Sequence, residues 1–361
     1  MKVLIVGAGV AGLGIGWRLR QSGAEVTILE RGQAARGATW ASAGMIAVAG
    51  EMSAAPTAEM EFAWHASRLW PDFAAEVEST SGLEIGYRRD GALMVALDAA
   101  PLEAAPGVAR LTSAEARAKE PMLAGDIQRA LWAPDDAQVD SRTLGQALAR
   151  AFVRAGGTLS LNEPVVRFEV VEGAVTSVHS PVGRHEADSY VLAAGAWSGA
   201  FGGLPDEALP PVKPIKGEII AIAPPAGASL PRHVVWGNEV YLVPRRDRLL
   251  IGATEADIGF DTSVTGAAAD WLSSHAIRLM PALAQWSVVE RWAGLRPGSP
   301  DGLPMLGPSA LDRLFIATGQ YRNGILFAPA LAENMSRLVM GHAEGISAFD
   351  PRRFHKGQGH A

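Results

Sequence analysis

The chain has 361 residues, of which 48% are hydrophobic and 19% charged, and this describes an ordinary globular protein large enough for two domains. Its net charge of −6, from 32 basic and 38 acidic residues without long blocks of either sign, argues against a surface for nucleic acid or anionic membrane. Cysteine is absent, which excludes disulfides, thiolate metal sites and cysteine nucleophiles and is compatible with the cytoplasm, the predicted location. Apolar runs stay shorter than the roughly 18 residues of a membrane helix.

The first thirty residues predict the start of a dinucleotide-binding fold. A short apolar run leads without a break into GAGVAG, and a second apolar run follows. Strand, tight turn, helix and strand in this order are typical of a Rossmann unit. We expect Gly7 to allow the turn and Gly9 to let the backbone approach a pyrophosphate. Gly12 and Gly16 lie one helical turn apart, so both face the strands and let the helix pack closely.

Glu30 closes the second apolar run and follows the glycine turn by about 20 residues. A carboxylate at this spacing suits hydrogen bonds from the ribose hydroxyls of an adenosine and disfavours the 2′-phosphate of NADP. The beginning of the chain also resembles a signal peptide, because Lys2 precedes apolar residues. The interrupting glycines and the regular strand that ends at Glu30 argue against that alternative.

The pattern continues with a loop, a long helix, a hairpin and a short helix. Small residues at 37–45 suit a loop that runs against a flat ligand. Apolar positions at helical spacing predict a helix at about 57–80, and a change of period at 83–97 predicts a hairpin that turns at 89–91. A short helix is expected over 112–123, with Ser113 as its N-cap.

Helical and extended patterns alternate through the rest of the chain. A helix is predicted from Asp140 to the glycines at 156–157. Further helices are expected at 267–280 and at 329–340, the latter with Pro329 near its first turn. The predicted strands are 158–161, 165–170, 175–178, a buried strand that ends in 190–198, 212–222, 234–236, 240–244, 249–254 and 313–319.

These elements predict an α/β fold in which a Rossmann-like FAD-binding domain is interleaved with an antiparallel-sheet substrate domain. The expected FAD-binding parts are 1–82, 140–210 and 294–361. The expected substrate parts are 83–139 and 211–293.

Five motifs are spread over nearly the whole chain. They are GAGVAG (7–12), VLAAGAWS (191–198), YLVPRRDRLLIGAT (241–254), GLRPGSPDGLPMLG (294–307) and GQYRNGILFAPA (319–330). Together they resemble the amino-acid-oxidising flavoproteins of the D-amino-acid oxidase superfamily, and within it they are most similar to the glycine oxidases of thiamine biosynthesis. The tail FDPRRF at 349–354 fits the same family. The fourth and fifth motifs are the most specific.

The resemblance implies non-covalent FAD, since the thioether link of sarcosine oxidases needs a cysteine. It assigns an adenine-contacting backbone to Val165 and a clamp for the substrate carboxylate to Arg296 and Tyr241, with Arg322 close by. Arginine suits this role because it binds a carboxylate bidentately. The predicted cofactor residues are Gly7, Gly9, Val10, Ala11, Gly12, Glu30, Arg31, Thr39, Ala41, Ser42, Ala43, Gly44, Met45, Val165, Ala194, Gly195, Trp197, Arg296, Gln320, Tyr321, Arg322, Asn323, Gly324 and Ile325.

Each proposed clamp residue also has a structural interpretation. Arg296 is also compatible with a buried arginine that satisfies loop carbonyls and Tyr241 with a packing residue on its strand, although the clamp is the favoured role of both, and Arg322 is equally compatible with a scaffold salt bridge. Glu255 departs from the family pattern, in which an apolar residue is expected. Three roles stay open for it: contact with the substrate ammonium, broader specificity, or simple exposure to solvent, which is the default for a carboxylate.

The implied reaction is oxidation of glycine or another small amino acid or amine by hydride transfer from the α-carbon to flavin N5. The products are an imine, then glyoxylate and ammonia, and hydrogen peroxide from dioxygen. No protein base is required, and none of the eight histidines shows catalytic or ligand spacing. Residues 319–325 and the helix after them are expected to present N–H groups toward flavin N1 and O2.

Other functions remain as alternatives. The nearest is a D-amino-acid or sarcosine oxidase, or a dehydrogenase that reduces quinone, within the same superfamily. A nicotinamide-only dehydrogenase and a non-catalytic or tRNA-modification partner are more distant, and the acidic balance argues against RNA binding. A serine hydrolase is excluded because Ser198 is not at the centre of a GxSxG motif. No metal is expected, and a homo-oligomer is compatible with the sequence.

Overall fold

The computed structural model describes residues 1–51, 57–98 and 102–354. Its helices are α1 (Val10–Gln21), α2 (Ala38–Ala41), α3 (Val48–Glu51), α4 (Ala58–Ser81), α5 (Ser113–Lys119), α6 (Ser141–Arg154), α7 (Gly266–Leu279) and α8 (Gly324–Val339). Its strands are β1 (Lys2–Val6), β2 (Glu25–Leu29), β3 (Met45–Ile46), β4 (Ala92–Ala96), β5 (Ala109–Leu111), β6 (Arg129–Ala133), β7 (Ala137–Gln138), β8 (Thr158–Ser160), β9 (Arg167–Val171), β10 (Ala174–Ser180), β11 (Gly183–His185), β12 (Ser189–Leu192), β13 (Lys213–Ala223), β14 (Val234–Gly237), β15 (Val240–Pro244), β16 (Leu249–Gly252), β17 (Ser287–Gly298), β18 (Met305–Pro308) and β19 (Leu314–Thr318).

A six-stranded sheet with the order β18-β19-β12-β1-β2-β8 forms the nucleotide side of the molecule. β1 pairs in parallel with β2 and with β12, as the predicted Rossmann unit requires. Helices α1, α4, α6 and α8 pack on one another and on this sheet around buried side chains such as Leu13, Trp17, Trp70 and Phe152. Loops that follow β1, β2, β12 and β19 therefore meet at one edge of the sheet, where ligands of open α/β folds bind.

The second sheet has eight strands in the order β17-β13-β16-β15-β14-β4-β6-β5. Its pairs are antiparallel except for β14 with β4. One face packs against α7, where Leu272 and Leu279 are fully buried. The other face looks toward the carboxyl edge of the first sheet, where Ile219 and Tyr241 pack against Ala41 and Ala43.

The glycine turn has the close packing that its sequence predicts. Gly7 has φ +107°, a conformation that side chains disfavour. A Cβ on Gly12 would lie 2.0 Å from the carbonyl oxygen of Gly7, and one on Gly16 would lie 2.9 Å from Ile28 Cδ1. Both contacts are shorter than van der Waals distance, so only glycine lets α1 sit this close to β1 and β2.

Three local predictions are wrong in detail. The hairpin over 83–97 does not form, because Arg88 pairs with Gln138 of β7 while β4 pairs with β14 and β6. Helix α5 is capped by Thr112, which forms a capping box with Glu115, and Ser113 is its first residue. The predicted loop at 37–45 contains the single turn of α2.

The last helix also begins earlier than predicted. α8 starts at Gly324 with Asn323 as its N-cap, so Pro329 lies in its second turn. The proline is buried and lies inside a long apolar helix that packs against α1 and α4. Tertiary burial therefore outweighs the local preference of proline for the first turn.

The division into two interleaved domains remains a proposal, which the strand distribution supports. All strands of the six-stranded sheet come from the predicted FAD-binding parts, and β17 of the other sheet runs past the proposed boundary at residue 293. Within the described ranges, none of the helices combines the length and the apolar character needed to cross a bilayer.

Candidate active site

A cavity of about 800 Å³ lies between the carboxyl edge of the six-stranded sheet and the facing side of the eight-stranded sheet. This volume is within the range of small-molecule and cofactor sites. The nucleotide side contributes the loops after β1, β2, β12 and β19, and the other sheet contributes side chains of β13, β15 and β17. The predicted cofactor-binding residues and the predicted carboxylate clamp therefore line the same cavity.

The beginning of α1 forms one end of the cavity. Gly7 and Gly9 line it, and a Cβ built on Gly9 meets only Thr39 Oγ1, at 3.6 Å. The Val10 N–H donates to Thr39 Oγ1 at 2.9 Å. The next N–H groups of the first turn have no acceptor inside the helix, as at every helix N-terminus. Open space and positive backbone dipoles at this point suit a pyrophosphate.

Replacement of Thr39 by valine tests the contact with α1. Thr39 is 6% exposed, so valine keeps the shape but leaves the Val10 N–H without its acceptor. We expect the FAD-free protein to lose about 1 kcal/mol of unfolding free energy. Thr39→Ser should keep most of it. Equal thermal unfolding of the valine and serine variants would contradict the capping role.

Glu30 occupies the position expected of a ribose ligand. Its two carboxylate oxygens accept from the N–H groups of Ala8, at 2.8 Å, and of Gly32, at 3.0 Å. An ionised carboxylate has about four acceptor positions, so it can also accept from ribose hydroxyls while the backbone holds it in place. Glu30 lines the cavity beside Arg31.

The loop 42–45 is held against the cavity by Arg245, which lies in the third motif but was not among the predicted site residues. The guanidinium of Arg245 donates to the carbonyl oxygens of Ala43 and of Val139, the latter at 2.9 Å, and to the side chain of Gln138. Burial lowers the pKa of Arg245 to about 10, so it remains a cation at neutral pH. Gly44 has φ +73°, and a Cβ here would lie 2.0 Å from the Val139 oxygen, so both the conformation and the space favour glycine.

Arg296 lies on β17 with its guanidinium over Gly217 of β13. A Cβ on Gly217 would lie 2.5 Å from both terminal nitrogens of Arg296. Nη1 donates to the carbonyl oxygens of Thr254, at 3.2 Å, and Lys216, at 3.4 Å. Among the described residues no carboxylate forms an ion pair with Arg296. One terminal nitrogen of Arg296 thus satisfies backbone carbonyl oxygens, as the structural interpretation expects. Because Arg296 also lines the cavity, its other N–H groups are available to an anion that binds there.

Tyr241 lies on the same face, three strands from Arg296. It is 7% exposed, and its ring crosses Gly252 of β16 so closely that a Cβ there would lie 2.4 Å from the hydroxyl oxygen. Arg296 lies opposite Ile215 of β13, whereas Tyr241 is in line with Ile219, so the two Cα atoms are three strands and four residues apart, roughly 20 Å. Because each side chain leans over a glycine of an intervening strand, their polar ends converge on the space above Gly217 and Gly252. Both side chains therefore line the part of the cavity that faces this sheet.

The segment after β19 completes the wall. Gln320 is 7% exposed and lines the cavity, and its Nε2 has no hydrogen-bond partner in the described part of the chain. A buried unpaired amide is costly, so a ligand acceptor at this point is expected. Asn323, the N-cap of α8, donates from its side chain to Glu59 at 3.1 Å, which fixes the start of the helix at the cavity.

Glu255 is exposed to solvent, which agrees with the default expectation for this residue. Its carboxylate lies close enough to Tyr321 to act on the hydroxyl of that residue. Burial, first, and the Glu255 carboxylate raise the pKa of Tyr321 to about 12, although Arg296 and Arg322 oppose the shift. Tyr321 is therefore a neutral hydroxyl at all physiological pH values.

Tyr321 should ionise only under strongly alkaline conditions. Its neutral form is favoured by folding, so its contribution to stability is fully present below about pH 10, the unfolded pKa, and is lost as pH rises through about 12. We expect near-ultraviolet tyrosinate titrations of wild type and Tyr321→Phe to coincide up to about pH 10 and to separate above it. Rapid pH jumps keep the protein folded during the measurement. A wild-type step near pH 10 that disappears in Tyr321→Phe would contradict the assignment.

All predicted site residues line the cavity except Gly12, which lies beneath the turn against Gly7. Their individual roles in binding remain proposals. Several cavity residues were not predicted. Gly217 had a sequence sign, since a glycine within an apolar strand often marks close approach of another group. No sequence pattern pointed to Phe260 and Thr262, because they lie on a loop between β16 and α7.

Comparison with known proteins agrees with this geometry. The family model "FAD dependent oxidoreductase" (DAO) matches residues 2–338. The chain is 34% identical to the glycine oxidase of Pseudomonas aeruginosa over 94% of this chain and 95% of that protein. It is 37% identical to the bifunctional protein ThiO/ThiG of Synechocystis sp. over 98% of this chain, but it spans only 54% of that protein, about half its length.

The fold is similar to that of a solved structure as well. The crystal structure of glycine oxidase from Geobacillus kaustophilus superposes with a TM-score of 0.88 at 32% identity, covering 96% of this chain and 97% of that one. The glycine turn, Glu30 and the open space at Gly9 fit the adenosine and pyrophosphate of FAD, and the unpaired Gln320 amide fits a polar ligand farther along. The chain therefore belongs to the FAD dependent oxidoreductase family, and FAD is its cofactor.

Proposed function

We propose that this protein oxidises glycine, or a similarly small amino acid or amine, with non-covalent FAD and dioxygen. One observation carries the proposal: Arg296, a cation without an ion-pair partner among the described residues, shares a cavity with the nucleotide-binding turn. A carboxylate held by Arg296 and Tyr241 would lie over the narrow floor that Gly217 and Gly252 provide. This arrangement fits a substrate with a carboxylate and little side chain.

The chain's own groups bind and orient, and no protein base is required. FAD supplies, when bound, a two-electron acceptor for the hydride of the substrate α-carbon and passes the electrons to dioxygen, giving hydrogen peroxide and an imine that water converts to glyoxylate and ammonia. Arg296 fixes the carboxylate, which presents the α-carbon of a substrate whose amine is neutral. The N-terminus of α8 brings positive dipoles to the cavity and stabilises negative charge that develops there.

The finer biological role belongs to the same proposal. The name ThiO/ThiG of a 37% identical relative and the motif resemblance to glycine oxidases support a role in making the thiazole of thiamine, with the imine as the useful product. The absence of cysteine supports the cytoplasm as the location, because no group depends on oxidation. The runner-up is a D-amino-acid or sarcosine oxidase, or a dehydrogenase, with the same cofactor site.

A substrate series separates these functions. Oxygen uptake would be measured with glycine, sarcosine, D-alanine and a larger D-amino acid, and repeated anaerobically with a quinone acceptor. We expect glycine to give oxygen uptake with stoichiometric peroxide and ammonia. Uptake only with D-alanine or sarcosine would transfer the assignment to the runner-up. Turnover that needs the quinone would identify a dehydrogenase.

A further inference from the structure

The loop between β16 and α7, residues 253–265, is held to β13 by hydrogen bonds and ion pairs. Ala256 exchanges both backbone hydrogen bonds with Lys216, at 2.9 and 3.0 Å. The ammonium of Lys216, which is 3% exposed, lies 3.1 Å from Asp261 Oδ2 and 3.4 Å from Glu218 Oε1. Glu218 also accepts from the Thr265 N–H at 2.7 Å. Lys216 therefore holds the segment at Ala256 and Asp261, and Glu218 holds it at Thr265.

The carboxylate of Asp261 is itself tightly held. It accepts from the backbone N–H of Ser263 at 2.9 Å and from the Ser263 hydroxyl at 2.8 Å. These bonds, followed by that from Lys216, lower the pKa of Asp261 to about 2, so it stays ionised opposite the buried ammonium. Breaking the contact would leave Lys216 with Glu218 alone, and this cost opposes movement of the segment.

Between these anchors the chain turns at Gly259, with φ +71°, and carries Phe260 across the cavity. The Phe260 ring stacks on Trp197, with centroids 5.4 Å apart and planes at 27°. Trp197 follows β12 on the nucleotide side of the molecule. The guanidinium of Arg31 also lies over the Trp197 ring, 3.5 Å from the ring centroid. A segment of one sheet thus closes onto the loops of the other.

The location of this stack indicates what it covers. Arg31 directly follows Glu30, the proposed ribose ligand, and Val165 lines the same region. Phe260 nevertheless remains 48% exposed, so its stacking on Trp197 is not explained by burial in a core. An aromatic ring that lies half in solvent over a ligand cavity is well placed to shield that ligand.

We propose that residues 256–265 form a clasp over the adenosine half of FAD, with Phe260 as its closing residue and the Lys216–Asp261 pair as its anchor. FAD is held without a covalent bond, so its release requires a route out of the cavity. Opening that route separates Phe260 from Trp197. The clasp therefore sets the rate at which FAD leaves, and it does so independently of which amine is oxidised.

The test measures release of FAD from the holoprotein, followed by the rise in flavin fluorescence after dilution without any amine. We expect Phe260→Ala to raise the dissociation rate constant roughly five- to tenfold, the loss of one aromatic pair. Phe260→Tyr should restore the slow rate. Asp261→Asn, which weakens the anchor, should raise the rate by about twofold to fivefold. The control is Ile258→Ala, since Ile258 is 52% exposed on the same segment and does not line the cavity.

Release from Phe260→Ala at the rate of Ile258→Ala would overturn the clasp. A Phe260→Tyr variant that releases FAD as fast as Phe260→Ala would likewise overturn it, because an aromatic ring at this position would then not slow release. The proposal rests on FAD in the cavity, not on glycine as the substrate. A protein that binds FAD but leaves glycine unoxidised refutes glycine as the substrate, and the clasp can still be tested on it.

Discussion

Replacing Arg296 with alanine raises the apparent KM for glycine by about 100-fold or more while FAD stays bound. The guanidinium has no carboxylate partner among the described residues, and its packing over Gly217 keeps it at the cavity wall. Removing one member of a desolvated charge pair costs about 3 kcal/mol, which corresponds to this change in affinity. Steady-state kinetics with saturating FAD would measure it.

Two further variants make this result specific. Arg296→Lys keeps the charge but loses the bidentate fork, so we expect only partial recovery of glycine affinity. Arg291→Ala is the matched control, because Arg291 is exposed on the same strand and does not line the cavity. An Arg296→Ala enzyme with an unchanged KM for glycine, or with the same small effect as Arg291→Ala, would remove Arg296 from the clamp.

Replacing Gly9 with alanine weakens FAD binding by about 100-fold without unfolding the protein. Gly9 has φ −77° and ψ −178°, which alanine adopts freely, and the new methyl group meets only Thr39 Oγ1 at 3.6 Å. The protein alone therefore accepts it. The methyl group occupies the space in which the pyrophosphate must approach the first turn of α1, so charge-assisted hydrogen bonds to the backbone are lost.

Gly12→Ala gives the contrasting result. Its Cβ would lie 2.0 Å from the Gly7 oxygen, so this substitution distorts the turn and lowers thermal stability before any ligand binds. FAD titrations of the apoproteins, followed by quenching of tryptophan fluorescence, would be compared with their melting temperatures. A Gly9→Ala protein that melts normally and binds FAD as tightly as wild type would show that the pyrophosphate lies elsewhere.

The nucleotide side was predictable because its requirements are local. The spacing of Gly7, Gly9 and Gly12 specifies a turn under an α-helix, and Glu30 follows a single short strand. Each of these positions depends on neighbours close in sequence, and the structure places the turn, the helix and the acid as that spacing implies. The order of the remaining strands depends on long-range pairing, and the hairpin expected over 83–97 was lost to such a pairing.

The clamp could be predicted from the sequence only in part. The family motifs drew attention to Arg296 and Tyr241, but the floor between them is made by Gly217 and Gly252, which lie on two intervening strands. Only the register of the sheet brings these four residues together. Similarly, Arg245 lies within the third motif, but its role depends on the carbonyl oxygens of Ala43, 202 positions away, and Val139, 106 positions away, so no local pattern predicts it.

The visible absorption spectrum of the purified holoprotein, recorded anaerobically before and after glycine is added, tests the central claim most directly. We predict a yellow protein whose flavin band bleaches with glycine, returns on admission of air, and bleaches in Arg296→Ala only at much higher glycine concentrations. A yellow protein whose spectrum is unchanged by glycine at any concentration, but which is bleached by D-alanine or sarcosine, would contradict the assignment of glycine as substrate.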